Sequence, residues 1–534
     1  MRKLLLSIVL IVLGQSALAT PNADELRAMA YAGDVARVEA GYVAIFAEQR
    51  AGGISYDELR ERYLALVVYD PRVLDFTQTW LDAYPDSPHA HAVLAWQLIK
   101  AASEIRGKNM PRDTYYLALE GFDALETQAL DHAFIAYQAA PDLVFASSAL
   151  LSLQTSHRFL GPVEFEELLA EIMAVTPSHR SLYLAVETEL PQWRGGGSSA
   201  VRDLCDTYAT MITDVADYDS DTCFVESIFK SFSYVRDTAA MAEANRLLDG
   251  NDHPYLDDAR LFQAFAALDD IIPPGSDAPQ TSHRNLDVAA TLAAILSRPG
   301  FRDTHAAENY DNFYAEPFGL PPLLPLVIAQ AVAWAQNRLT IDPFDPKAIA
   351  ALTVTRHDPY GAPLPGILSA ADRIALLKRR LLVNPYLSET WSQLGEIVQM
   401  QELSPFASTS DAYFVNAIVY SNYDVFAVQY YLQSKYDQIN RRLRAEEFEL
   451  SGRFMDDALF DDGFCPYLHL ENLKQYLCNG PRSDSRACGD WGPGPERVLA
   501  LATQRATAAN LCVTERRANL EDLAFSPITI DLTD

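Results

Sequence analysis

The chain has 534 residues, with 42 lysines and arginines against 72 aspartates and glutamates, a formal charge of −30. Apolar residues make up 49% and charged residues 21%, which is enough apolar material for a folded core and excludes a disordered protein. So acidic a chain is also excluded as a nucleic-acid binder, because phosphate binding needs a basic surface. The length predicts about three domains or one extended repeat array.

The N-terminus has the three parts of a secretory signal. Arg2 and Lys3 are followed by an apolar run from Leu4 to Leu13 and by Ala17-Leu18-Ala19. The run is about half the length that a bilayer crossing needs. We therefore predict a signal peptide over residues 1–19, cleavage after Ala19, and a periplasmic or secreted protein.

Helical spacing of apolar residues dominates the rest of the chain. One stripe begins at Phe165 and ends at Met173, and a second begins at Val201 and ends at Ile212. A third helix is predicted after Ser369, where Asp372 completes a capping signal. Strand-like alternation is confined to the tail, at Ile528, Ile530 and Leu532. These patterns predict an all-α fold.

A short segment with proline recurs between predicted helices. The prolines concerned are Pro85, Pro141, Pro177, Pro343 and Pro385. Pro141 and Pro177 are 36 residues apart, and Pro343 and Pro385 are 42 apart. Such periods are typical of tetratricopeptide-like arrays, in which stacked helix pairs bury one another's apolar faces. We expect each proline in the first turn of the following helix, where its missing N–H costs nothing.

The segment around residue 193 is the most unusual candidate site. It consists of Trp193, Arg194, Gly195, Gly196, Gly197, Ser198 and Ser199. Glycines before a helix N-terminus expose backbone N–H groups that can hold an anion, and Arg194 would add charge. The alternative is a flexible connection in which a serine caps a helix over residues 200–212. The nucleotide-binding P-loop pattern is not met.

Two other segments invite a metal-site interpretation. His89 and His91 are two residues apart, so on a helix they point in different directions and would not share a metal. Asp217, Asp219 and Asp221 resemble the start of a calcium loop, but Thr222 and Ile228 replace the glycine and glutamate that an EF-hand needs. A looser calcium site and an ordinary acidic loop both stay open.

Cysteine usage agrees with export. The six cysteines are Cys205, Cys223, Cys465, Cys478, Cys488 and Cys512. An even number in an oxidising compartment indicates disulfides, with metal binding or reduced thiols as alternatives. The spacing favours a local Cys205–Cys223 pair and two further pairs among the last four.

Changes in composition predict the domain boundaries. We expect a first helical-repeat domain at 20–270, a Pro-rich linker region at 271–325, a second helical-repeat domain at 326–450 and a Cys-rich cap at 451–534. The uncharged stretch 317–337 is long enough to span a membrane, but its four prolines favour a loop followed by a buried helix. The alternating tail could add a strand to a partner's sheet, or it could be a terminus that is frayed or docked on its own chain.

Part of the chain resembles a known family. The matching features are the segment from Trp80 to Ala90, Arg106-Gly107, and Pro191-Gln192-Trp193 followed by glycines and Ser198. These resemble a bacterial domain-of-unknown-function family with tetratricopeptide-like repeats, over about residues 28–209. Family members carry Pro-x-Trp-Gly-Gly-Ser, whereas this chain inserts Arg194 and a third glycine. The resemblance implies a helical-repeat fold and no assigned activity.

Together these features predict a tetratricopeptide-like α-solenoid in the cell envelope that binds a protein or peptide partner. The candidate binding residues are Trp80, Arg106, Trp193, Arg194, Gly195, Gly196 and Ser198. We expect no cofactor, no nucleic-acid partner, no transmembrane span in the mature chain and no catalytic residue. The alternative is a carbohydrate-active or other envelope enzyme on a helical toroid, with two carboxylates about 5–10 Å apart in a deep pocket. A third interpretation is a purely structural envelope component.

Overall fold

Helices are the regular structure of this chain in every part that the computed structural model describes, where no strand occurs. The described residues are 20–107, 114–189, 197–230, 238–251, 253–256, 259–260, 324–353, 368–401, 410–420, 528, 530 and 532. The prediction of an all-α fold is confirmed over these residues. The predicted signal peptide, most of the linker region and nearly all of the Cys-rich cap lie outside them.

The described residues fall into two compact units. The first comprises the residues up to 103 and those from 122 to 353, and the second comprises 104–107, 114–121 and those from 368 onward. The α-helices in the described part of the chain are α1 Ala23–Tyr31, α2 Val35–Arg50, α3 Tyr56–Leu64, α4 Pro71–Ala83, α5 Pro88–Arg106, α6 Tyr116–Ala139, α7 Val144–His157, α8 Pro162–Val175, α9 His179–Glu189, α10 Ser198–Tyr208, α11 Ser220–Lys230, α12 Thr238–Leu248, α13 Leu324–Ile341, α14 Pro346–Thr353, α15 Ala370–Val383, α16 Ser388–Gln401 and α17 Ser410–Tyr420.

Local signals start several of these helices where the sequence predicts. Ser369 caps α15, its hydroxyl accepting the N–H of Asp372 at 3.2 Å. The stripe from Phe165 to Met173 lies on α8 and supplies its buried face. Because a capping residue satisfies backbone donors that the helix cannot, it marks the start of a helix independently of tertiary packing.

Four linkers between helices have the same local structure. In each, the first residue donates its N–H to the carbonyl four residues back, and proline follows in a two-residue turn. The linkers are 84–87, 140–143, 342–345 and 384–387. The next helix begins three residues after the proline, so the expectation that these prolines lie in its first turn is wrong. They follow the end of the preceding helix, which they help to terminate.

One core serves the first twelve helices. Its largest fully buried side chains include Trp80, Tyr42 and Tyr63. The rings of Tyr42 and Trp80 stack with centroids 5.2 Å apart, and Tyr42 and Tyr63 are 4.7 Å apart. Aromatic side chains therefore pack mainly as core in this part of the chain, as is usual at helical spacing.

An aspartate ties the linker between α13 and α14 to the N-terminal part of the first unit. Asp342 is fully buried and accepts the N–H of Tyr69 at 2.8 Å, while the Lys100 ammonium lies 3.8 Å from the same oxygen. Burial raises the pKa of Asp342, and Lys100 opposes that rise. The predicted boundaries place α13 and α14 in a second domain, whereas they group with the first unit.

Helix α13 begins at Leu324 and covers the last two thirds of the uncharged stretch 317–337. Ala335 is buried, while the neighbouring Gln336 and Asn337 are exposed. Within the described residues, none of the helices combines the length and the apolar character that a membrane crossing needs.

The second unit has its own core around Trp391. Leu377, Leu381 and Leu394 surround it, and its indole donates to the Pro385 carbonyl at 2.7 Å. Gly395 lies so close to the ring of Phe414 that a Cβ there would be 2.9 Å from the ring carbons. The close packing of α16 on α17 therefore needs glycine at this position.

The C-terminal tail docks on the second unit. Asn416 holds the backbone of Ile528 from both sides, its amide nitrogen donating to the carbonyl at 2.8 Å and its amide oxygen accepting the N–H at 2.7 Å. Ile530 and Leu532 pack against the core around Trp391. Among the expectations for the alternating tail, the structure shows docking on its own chain at Ile528, Ile530 and Leu532.

Candidate functional site

Little of the segment around residue 193 lies among the described residues. Trp193, Arg194, Gly195 and Gly196 lie outside them, whereas Ser198 is the first residue of α10. Gly197 occupies the N-cap position, and no side chain there accepts a helix N–H. The expectation that a serine caps this helix is wrong, because the helix starts earlier than predicted.

Trp80 and Arg106 belong to different units. Trp80 is 0% exposed, and its Nε1 donates to Glu39 Oε2 at 2.7 Å. Arg106 is the last residue of α5 and is partly exposed. A binding role for either residue stays a prediction, and packing is the role that the structure shows for Trp80.

His89 and His91 point to different neighbours, as their spacing predicts. His89 Nδ1 lies 2.6 Å from the Tyr63 hydroxyl, and burial lowers the pKa of His89 to about 4. His91 Nδ1 lies 2.8 Å from His132 Nδ1, and its other ring nitrogen is 2.9 Å from the Pro85 carbonyl oxygen. The two histidines thus have separate roles in packing, and both are buried.

The three aspartates of the acidic segment do not converge. Asp219 accepts the N–H of Thr222 at 2.8 Å at the start of α11, Asp221 pairs with Arg202 at 2.8 Å, and Asp217 is exposed. In the described part of the chain, no group of three or more His, Cys, Asp or Glu side chains is placed to hold a metal ion. The segment is closed by the predicted Cys205–Cys223 disulfide, whose Cα atoms are 5.7 Å apart. Cys465, Cys478, Cys488 and Cys512 lie outside the described residues.

A pocket in the first unit is the candidate site that sequence reasoning missed. It encloses about 490 Å³, a volume that includes open solvent at its mouth. Helices α3, α5, α7 and α9 and the segment before α11 line it. Its charged residues are Arg60, Arg180 and Asp214. We call it the arginine pocket.

Helical spacing places the pocket residues of α3 and α7. Tyr56, Arg60 and Leu64 are four residues apart and share one face of α3. On α7, Val144 and Ser148 are likewise one turn apart, with Phe145 beside them. Phe145 also packs on the fully buried Tyr63, with ring centroids 4.7 Å apart, which ties the pocket to the core.

Trp96 and Arg180 also line the pocket. The indole Nε1 of Trp96 donates to the Phe145 carbonyl at 2.8 Å, which fixes the orientation of its ring. The guanidinium of Arg180 lies 5.8 Å from the centre of the Trp96 ring and 5.3 Å from that of Tyr183. Within about 6 Å a cation is attracted to an aromatic face, so these rings hold the arginine at the pocket.

Asp214 connects the pocket to a buried polar cluster. Its Oδ1 accepts the N–H of His179 at 2.9 Å, at the start of α9. His179 Nε2 donates to Glu226 Oε2 at 2.9 Å, and the Tyr218 hydroxyl donates to the same oxygen at 2.7 Å. His179, Tyr218 and Glu226 are all buried, so these hydrogen bonds replace the hydrogen bonds to water that the three side chains lose on folding.

Glu187 lies on α9, the helix that carries Arg180. Burial, opposed by the charge of Arg180 and assisted by that of Glu226, raises the pKa of Glu187 to about 7. A carboxyl whose pKa is raised on folding holds its proton in the folded state at a pH where the unfolded chain has lost it. The folded state therefore loses relative stability as the pH rises from about 4.5 to about 7.

Replacing Glu187 by glutamine should remove this pH dependence. We expect E187Q to gain about 1–3 kcal/mol of stability over the unchanged chain at pH 8, and little at pH 4.5. The measurement is urea unfolding at both pH values. Glu166→Gln, an exposed change on α8, makes the same change of charge and is the control. Equal pH dependence in the two variants would contradict the assignment.

Compared with models of known protein families and with curated proteins, the chain matches none of them. The resemblance to a domain-of-unknown-function family therefore stays a prediction. Over its described residues, the structure defines an all-helical protein with a Cys205–Cys223 disulfide and the arginine pocket.

Proposed function

We propose that this chain is an exported protein that binds a protein or peptide partner in the cell envelope, and that a group of that partner occupies the arginine pocket. The pocket is the observation that carries the proposal. It combines an apolar wall with a few charged groups at fixed positions, the composition typical of binding sites. The disulfide between Cys205 and Cys223 supports an oxidising compartment.

The recurring linkers support a helical-repeat architecture for the proposal. Four linkers of equal length and equal hydrogen bonding are what repeated helix pairs produce. A tetratricopeptide-like solenoid offers extended surfaces for a partner, and in this proposal the arginine pocket anchors one group within such a surface.

In-cell cross-linking of a tagged copy at native level tests the proposal. We expect one envelope protein to be recovered in near-equal amount and lost in the Arg180→Gln variant. Arg37→Gln is the control, because it makes the same change of charge on an arginine whose side chain is 68% exposed. Recovery of the tagged protein alone, or equal recovery with both variants, would contradict it. A mature N-terminus at Thr20 in the periplasmic fraction would confirm the export step.

A further inference from the structure

We infer that the arginine pocket binds a carboxylate whose neighbouring carbon carries a large apolar group, a chemistry found in the last residue of a peptide and in small aromatic acids. This inference rests on the proposed function and specifies the group that the pocket accepts. It follows from the charge of the pocket, from a buried hydroxyl and from the apolar wall.

The charge of the pocket is opposite to that of the protein. The chain carries 72 acidic against 42 basic residues, yet two arginines and one aspartate line the pocket. The carboxylate of Asp214 already accepts the N–H of His179. Guanidinium groups favour carboxylates because the two planar groups can form paired hydrogen bonds.

A buried serine points to a ligand with polar atoms. Ser148 is 2% exposed and lines the pocket, and its hydroxyl has no hydrogen-bond partner among the described residues. The preceding residue, Ser147, is also buried but donates to the Val144 carbonyl at 3.1 Å. A buried hydroxyl without a partner is costly, and such groups in native proteins usually have a reason. A ligand carboxylate would supply the missing acceptor.

The apolar wall selects the rest of the ligand. Leu59, Val144 and Phe145 are buried and contribute to the pocket, and Trp96 has an orientation fixed by its own hydrogen bond. An ion such as free sulfate or phosphate would leave this wall in contact with water. A carboxylate that carries an aromatic or branched group can accept hydrogen bonds from guanidinium N–H groups and cover the apolar wall at the same time.

Calorimetry on the purified mature chain tests the inference with four probes. They are 3-phenylpropanoate and its amide, and the peptide Gly-Gly-Ser-Gly-Phe with a free or an amidated C-terminus. We expect the acid of at least one pair to bind, and its amide to bind at least ten-fold more weakly. Arg180→Gln should weaken binding of that acid at least ten-fold, whereas Arg37→Gln should change it less than two-fold.

The adjacent serines give a second, independent readout. Ser148→Ala should weaken binding three- to ten-fold and at the same time raise the thermal midpoint of the ligand-free protein, because it removes a hydroxyl without a partner. Ser147→Ala should leave binding within two-fold and lower the midpoint. A residue with a merely structural role would not move affinity and stability in opposite directions.

The outcomes separate the inference from the proposed function. Binding of the peptide acid supports the inference with a peptide end as its source. Binding of 3-phenylpropanoate alone supports the same chemistry with a small acid as its source and counts against a peptide. Equal affinity of acid and amide, or no binding by either acid at millimolar concentration, overturns the inference. Cross-linking of a partner that depends on Arg180 would in that case leave the proposed function standing.

Discussion

Replacing Trp80 by alanine is expected to lower the free energy of unfolding by about 3–5 kcal/mol, the usual cost of removing a large aromatic side chain from a core. Trp80 is fully buried, and its ring stacks on Tyr42. The change opens a cavity and also removes a donor from Glu39, which accepts from Ser87 at 2.7 Å as well. Loss of packing and loss of the hydrogen bond act in the same direction.

Urea unfolding followed by circular dichroism measures this effect. Leu74→Ala is the matched control, because Leu74 lies on the same helix and is 40% exposed. We expect the control to stay within about 0.5 kcal/mol of the unchanged chain. A cost below about 1 kcal/mol for Trp80→Ala would show that the core around this ring relaxes to fill the space, and would contradict the prediction.

Loss of the Cys205–Cys223 disulfide should cost about 3 kcal/mol. The bond joins α10 to α11 and closes a loop with a sequence separation of 18 residues, so it restricts the unfolded chain considerably. Both cysteines are buried, which favours alanine over serine as the replacement, since serine would bury two hydroxyls. The measurement is the free energy of unfolding of the double variant Cys205→Ala, Cys223→Ala.

Reductant provides the control for the disulfide. In its presence the stability difference between the double variant and the unchanged chain should shrink to the small cost of exchanging two thiols for two methyl groups. A difference that is the same with and without reductant would mean that the two sulfurs are not bonded in solution.

Features that depend on neighbouring residues were predictable from the sequence. The cap at Ser369 and the stripe from Phe165 to Met173 follow from spacings of three and four residues. The pairing of Cys205 with Cys223 follows from a short separation in an otherwise cysteine-poor stretch. The misplacement of the linker prolines has a local cause too, since proline suits both the first turn of a helix and the residues after its end.

The arginine pocket was not predictable in the same way. Its residues come from five separate segments, from Tyr56 to Asp214, and only the packing of the helices brings them together. In the sequence Arg60 and Arg180 look like ordinary surface charges on helices. Ser148 differs from Ser147 only in which neighbours surround it, a distinction that no spacing rule contains. The scarcity of basic residues in so acidic a chain is the sequence signal that could have drawn attention to Arg60 and Arg180.

The clamp between Asn416 and Ile528 has a consequence for how this chain tolerates change. Both hydrogen bonds are made to the main chain of residue 528, and this residue is 43% exposed. The two hydrogen bonds therefore do not depend on which side chain is present at position 528. In contrast, the side chains of Ile530 and Leu532 pack against the core around Trp391, so their size and shape matter. Substitutions should therefore be tolerated at residue 528, whereas Asn416, Ile530 and Leu532 should change together or not at all.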